Sequence, residues 1–235
     1  MRKLFAHTLV ITLPFSCVFG SETAAWDLAN NTVTYTVSST FGRNTPTSVS
    51  LSQFDASDVA LQEGSGEYVL SKVVLTLNGS ISAVLSYQNT TASSQDVAVQ
   101  NVGGGSYFTY APLGVTSATE NYSIQHNFGT VASGAIVTAG DPTPLQALGS
   151  GAVSSGFITS DLSSFIGSGD ISTVVTFASM FWDWGAEGLK NETLVRSADM
   201  SVTYYYDVVP EPSTSALACL GSAVLLLRRR RAAAR

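Results

Sequence analysis

Imidazoles, thiols and paired carboxylates are the groups through which a chain of this kind could do chemistry, and each is scarce or poorly placed here. Nucleophilic catalysis by a serine, histidine and acid set needs an imidazole. Of the two histidines, His7 lies in the apolar N-terminal segment, which leaves His126 for the body. It falls in an alternating stretch where Tyr122, Ile124, His126 and Phe128 share one face, so a packed or edge histidine is expected. Both cysteines, Cys17 and Cys219, sit in terminal apolar segments, so the body has no thiol nucleophile, disulfide framework or cysteine-ligated zinc. Carboxylates are numerous enough for a glycosidase pair, yet no spacing singles one out, and Asp55, Asp58 and Asp141 read as exposed turn acids. Oxygen-only calcium binding stays open at Asp55-Ala-Ser-Asp58. No catalytic residue and no metal-ligating set is assigned. The densest aromatic group is Phe181-Trp182-Asp183-Trp184. In a loop, Trp182 and Trp184 would form a sugar-stacking platform; in a continuing strand they would share one side and pack.

The elements that must carry these residues read as short strands. The chain is 45% hydrophobic and only 12% charged, enough to bury a core, and its apolar runs are separated by Gly, Ser, Asn and Pro. Alternation is clear at Val33, Tyr35 and Val37, at Ile171, Thr173, Val175 and Phe177, and at Met200, Val202, Tyr204 and Tyr206. From Val73 to Tyr87 one odd phase persists across Asn78-Gly79. A two-residue Asn-Gly loop would pair apolar with hydroxyl faces, so the pattern favours a three-residue loop or one long strand bent at a Gly79 bulge. Further strands are expected near Ser48 to Phe54, Asp96 to Val102, Thr119 to Phe128 and Gly134 to Thr138. Gly103-Gly104-Gly105 and Asp141-Pro142-Thr143-Pro144 read as turns, and Asp161 as the cap of one helical turn through Phe165. Eight to ten strands with such connections point to an all-β fold, an antiparallel β-sandwich in jelly-roll style, over residues 21–208.

Charge divides the chain. Its formal net charge is −6, but between Ser21 and Val209 only Arg43, Lys72, Lys190 and Arg196 stand against sixteen of the seventeen acids. A body of that sign repels phosphate polyanions, so no nucleic acid is expected as a partner. The remaining bases mark the ends. Met1-Arg-Lys followed by the apolar Leu4 to Phe19 has the layout of a secretory signal peptide over residues 1–20, with cleavage before Ser21 or near Thr23-Ala24-Ala25. Signal peptidase and the secretion machinery are therefore expected partners.

At the other end, in residues 209–235, Val209-Pro210-Glu211-Pro212-Ser213 leads into the apolar Thr214 to Leu227, which stops at Arg228, Arg229, Arg230 and Arg231. An apolar run before a basic cluster reads as a transmembrane segment whose arginines stay in the cytoplasm, leaving the body outside. The run is about 14 residues where a comfortable spanning helix needs about 20, which suits a provisional anchor. The order of Pro210-Glu211-Pro212, apolar run and arginines resembles the PEP-CTERM sorting signal. That resemblance implies processing by an exosortase, a membrane protease, and delivery to the cell surface or to secreted polymer. Two prolines flanking Glu211 hold the segment extended, as a protease cleft requires.

The body also resembles the choice-of-anchor E domain, on Leu51-Ser-Gln-Phe54-Asp55, Leu70 to Gly79, Asp161-Leu-Ser-Ser-Phe165-Ile-Gly167 and Thr203-Tyr-Tyr-Tyr206. The resemblance implies a surface destination and names no ligand. The resulting expectation is a non-enzymatic surface or matrix protein. A displayed carbohydrate-binding module acting on extracellular polysaccharide, and a glycan hydrolase, are the alternatives.

Overall fold

The computed structural model describes residues 21–42, 44–64, 66–97, 99–148, 152–184 and 189–209, so the signal segment 1–20 and the tail 210–235 lie outside the described residues. The strands are β1 (Glu22–Asp27), β2 (Thr32–Thr40), β3 (Thr47–Ser52), β4 (Glu67–Gln88), β5 (Gln95–Val97), β6 (Val99–Tyr110) and β7 (Val115–Thr116). They continue as β8 (Glu120–His126), β9 (Gly129–Val131), β10 (Ile136–Ala139), β11 (Leu145–Leu148), β12 (Val153–Ser154), β13 (Asp170–Trp184) and β14 (Leu189–Val209). One α-helix, α1 (Ala56–Glu63), and two short 3-10 turns, Ala111–Leu113 and Leu162–Phe165, are found among the described residues. Antiparallel pairing builds two large sheets and a two-stranded ribbon, β5-β9. The larger runs β1-β2-β14-β4, with β10, β11 and β12 in succession along the far side of β4; the smaller runs β3-β13-β6, with β7 and β8 both on β6.

Alternation explains why these two sheets face each other. The inward positions of β2, β4 and β14 (Val33, Tyr35, Leu75, Leu77, Val202 and Tyr204 among them) are buried in one cluster with Val49, Leu51, Phe108, Val175 and Phe177 of the smaller sheet. Burial of such side chains is worth about 1.5–3 kcal/mol each. Two tyrosines tie the layers at specific points: the Tyr204 hydroxyl donates to the Ser52 carbonyl at 2.8 Å, and Tyr206 donates to the Glu63 carboxylate of α1 at 2.7 Å. On the edge strand β1, Glu22 accepts from the Ser52 amide and hydroxyl at 2.8 and 2.6 Å.

The Asn78-Gly79 segment forms neither a hairpin nor a bulge. β4 runs straight through it for 22 residues, with Gly79 opposite Ala198 in unbroken register. The one register shift falls between Tyr205 and Tyr206, where β4 steps from Lys72 to Leu70. The extra residue, Ser71, donates its hydroxyl to the Tyr205 carbonyl at 3.0 Å. This bulge switches the buried phase of β4 from Val73 and Leu75 to Leu70 and Tyr68. Gly79 is glycine because the opposite sheet approaches it closely: a Cβ there would lie 2.2 Å from the Tyr122 hydroxyl.

Three other local expectations are corrected. Gly103-Gly104-Gly105 is no turn but the middle of β6; a Cβ on Gly105 would meet Thr119 Cγ2 at 2.4 Å and the Glu120 carbonyl at 2.9 Å. Asp55 and Asp58 do not form an open loop. Asp55 caps α1 by accepting from the Ser57 amide at 2.8 Å, and Asp58 lies in the first turn. The single turn after Asp161 exists at Leu162–Phe165, but Asp161 has φ 53 and makes no side-chain capping bond. The Asp141-Pro142-Thr143-Pro144 connection does separate β10 from β11.

Gly79→Ala is expected to cost about 1–3 kcal/mol by overpacking the contact between the sheets. Urea denaturation checks this as a lower midpoint at unchanged slope; an unchanged midpoint would mean that the approach of Tyr122 is looser than the geometry shows.

Candidate functional site

Three clusters stand out once the side chains are placed. The first is polar and lies between the sheets. Glu120 enters from β8 in phase with Tyr122 and Ile124 and is fully buried. Its Oε2 accepts from the Gly79 amide at 2.9 Å, from the Tyr122 hydroxyl at 3.1 Å and from the Ser106 hydroxyl at 3.4 Å, while the Ser106 and Tyr122 hydroxyls touch each other. Among the described residues its Oε1 has no hydrogen-bond partner. Burial raises the carboxyl pKa above its ordinary value, and the three donated bonds only partly oppose that shift. Burial likewise raises the Tyr122 hydroxyl. Sequence reasoning placed the strand and not its acid; the available signal was Glu120 falling on the same alternate positions as Tyr122 and Ile124.

The second cluster lies on the outer face of the larger sheet. Lys72 Nζ sits 4.4 Å from the ring centroids of both Phe157 and Tyr205, and those rings meet edge to face at 5.7 Å. Phe157 is nonetheless 62% exposed. The contact pins the segment after β12 to the sheet and leaves one aromatic ring open to its surroundings.

The third is the exit of the chain from the body. In β14, Tyr204 and Tyr206 point inward, the latter against Phe54 and Tyr68, while Tyr205 faces Lys72. The strand then holds its register to Val209 opposite Glu67. Proline, the next residue, has no N–H with which to continue a ladder.

The residues singled out from the sequence are scattered. His126 ends β8, half-buried and edge-on to Phe128 at 4.7 Å between centroids. The Asp55 carboxyl is held below its ordinary pKa by its bonds from Ser57, whereas Asp58 is raised by burial and by the neighbouring Asp55. Asp141 is exposed. Among the described residues no group of three or more acids, histidines or cysteines is arranged to hold a metal ion. Trp182 and Trp184 lie at the end of β13 rather than in a loop, paired with Asn101 and Val99 of β6; their side chains lie outside what is described. Pro210, Glu211, Pro212 and Arg228 to Arg231 also lie outside the described residues, immediately beyond Val209.

Residues 208–231 match the family model for the PEP-CTERM protein-sorting motif. The chain carries an exosortase sorting signal. This motif marks proteins that are exported, sorted to the cell surface and processed by an exosortase. Among curated proteins none matches the chain. Among solved structures, a chain of the T13 infectious bursal disease virus particle is 13% identical over 86% of this chain and 46% of its own, at a TM-score of 0.13. T=1 particles derived from that virus give 11% identity over 94% and 56%, also at a TM-score of 0.13. The chain thus spans about half the length of these structures. Likeness at that level carries nothing about the fold. The PEP-CTERM match begins at Val208, inside the last strand, so signal and sandwich overlap.

The buried Glu120 sets a pH dependence with a definite sign. Its folded pKa is raised, so between that value and the unfolded carboxyl near 4.5 the native state binds the extra proton. Its contribution therefore becomes more favourable as pH falls from neutral toward about 4.5. Thermal melts of wild type and Glu120→Gln at pH 8 and pH 5 are expected to show a larger gain on acidification in the wild type than in the variant, which keeps the share of Glu22 and Asp58. Equal gains in both would mean that Glu120 does not titrate in this interval.

Proposed function

We propose that this is a non-enzymatic surface or matrix protein. In this reading a jelly-roll sandwich is carried through the membrane by the signal peptide of residues 1–20. The segment Thr214 to Leu227, stopped by Arg228 to Arg231, holds it briefly, and an exosortase releases it near Pro210-Glu211-Pro212. The single observation that carries the reading is the sorting motif starting on the last strand of a closed sandwich. Several features support the rest. The sheets run β2-β14-β4-β10 and β3-β13-β6-β8, the order produced when paired antiparallel strands fold over as two Greek keys. Resemblance to choice-of-anchor E domains agrees with a body whose anchoring signal is interchangeable.

A body of this kind does not depend on its tail. Among the described residues every strand of both sheets ends at or before Val209, so removing the tail takes away no rung found there. Both cysteines of the chain lie in the segments that the two cleavages would detach, which leaves a thiol-free product suited to an oxidising exterior.

Intact mass of the protein from cells with and without their sorting protease tests this. The expected result is loss of the tail beyond the motif only when the protease is present. Retention of the complete tail in both would contradict the reading. Pro210→Ala with Pro212→Ala is expected to leave the tail in place while preserving the melting temperature, since both substitutions lie beyond Val209, the last residue of β14.

A further inference from the structure

The exposed apolar side chains of the body are concentrated at one end. Nine large hydrophobic residues are exposed among those described, and six of them (Leu28, Leu61, Val69, Phe157, Val208 and Val209) belong to the end where β14 leaves the sheet. Register fixes this placement. Asp27 pairs with Thr32, which pairs with Tyr205, so Leu28 follows just beyond the Tyr205 rung, and the Tyr206 amide donates to the Asn31 carbonyl of the same turn. Val69 lies opposite Asp207, and Phe157 packs on Tyr205. Leu61 is on α1, whose end is joined here by the bonds of Tyr206 to Glu63 and of Tyr68 to the Gly64 carbonyl.

The length of chain beyond this end says what faces it. In the anchored precursor, on which this inference rests, the apolar run begins at Thr214, five residues after Val209. At about 3.3–3.6 Å per residue, that connection reaches at most about 18 Å. A headgroup layer is about 5–8 Å thick on each side of the hydrocarbon core. The end of the sandwich is therefore kept within about 10–13 Å of the headgroup surface, close enough to rest on it, and it presents apolar side chains ringed by acids.

We infer that this end is a membrane-contacting face, with Phe157, Val69 and Leu28 entering the lipid interface while the precursor is anchored. Phe157 is held outward by Lys72 and Tyr205, the arrangement of an aromatic ring that reaches an interface without leaving its scaffold. The charge at this end selects the lipid. Asp27, Glu63, Glu67 and Asp207 surround the apolar residues, with Lys72 as the basic residue beside them. The partner is accordingly a zwitterionic surface, and anionic headgroups oppose the contact. Such contact fixes the orientation of the body above its anchor and so presents the sorting motif at a constant height.

The test uses full-length protein reconstituted in phosphatidylcholine vesicles, with photoreactive p-benzoylphenylalanine at position 157, 69 or 136. Ile136 is exposed but pairs with Gln88, at the far end of the same sheet. Lipid adducts at 157 and 69 are expected at about ten times the yield at 136, falling several-fold as phosphatidylglycerol replaces phosphatidylcholine. Vesicle flotation is read in parallel. Protein that floats with equal adduct yields at all three positions overturns the membrane face while leaving the anchor intact, and crosslinked dimers through position 157 overturn it in favour of a second copy. Protein that fails to float removes the anchor, and the membrane face falls with it.

Discussion

Insertion of β14 between β2 and β4 is the constraint on which the rest of the structure depends. β14 pairs with β4 from Leu189 opposite Gln88 to Val209 opposite Glu67, and with β2 from Ser197 to Tyr205. Without it the larger sheet separates into β1 with β2 and β4 with its three short partners. The core loses Met200, Val202, Tyr204 and Tyr206 at the same stroke. Closing the sandwich is thus a non-local event that waits for the last strand of the body. Since that strand ends beside the sorting motif, completion of the fold and presentation of the motif are consecutive on the chain.

Polar groups inside the sandwich are handled in two ways. Asn89 is buried at the end of β4 with its bonds made: its amide donates to the Ser93 and Val131 carbonyls at 2.8 and 2.9 Å, and its Oδ1 accepts from the Thr91 amide at 2.9 Å. It thereby ties the β5–β9 ribbon to the main sheet. Glu120 is the opposite case, with one oxygen saturated by Gly79, Ser106 and Tyr122 and the other unmatched. Buried groups left so are costly. Gly79 makes the arrangement sterically feasible, because only a residue without a Cβ lets Tyr122 and Glu120 reach the backbone of β4.

Period-two alternation was the legible part of the fold. Val33 to Val37, Val73 to Tyr87, Ile171 to Phe177 and Met200 to Tyr206 are buried on the face their spacing dictates. Glycine was the misleading part. Asn78-Gly79 and Gly103-Gly104-Gly105 carry the local chemistry of turns, yet both lie within strands because a residue from elsewhere in the chain occupies the space of the missing side chain. That neighbour is a tertiary fact with no local signature. α1 was hidden for a different reason: an eight-residue helix burying Val59 offers too little periodicity, although Asp55 before it and Gly64 after it are ordinary boundary signals. The sorting signal was legible because its order of prolines, apolar run and arginines acts through sequence. The Lys72, Phe157 and Tyr205 contact was not, since it joins three distant segments.

Hydrogen exchange on the full-length protein tests the central claim most directly. If the last strand completes the sandwich, the amides of residues 202–206 exchange as slowly as those of residues 73–77 on the neighbouring strand, because both open only with the core. Free exchange of residues 202–206 beside a protected 73–77 would contradict it, since the body would then close without its final strand.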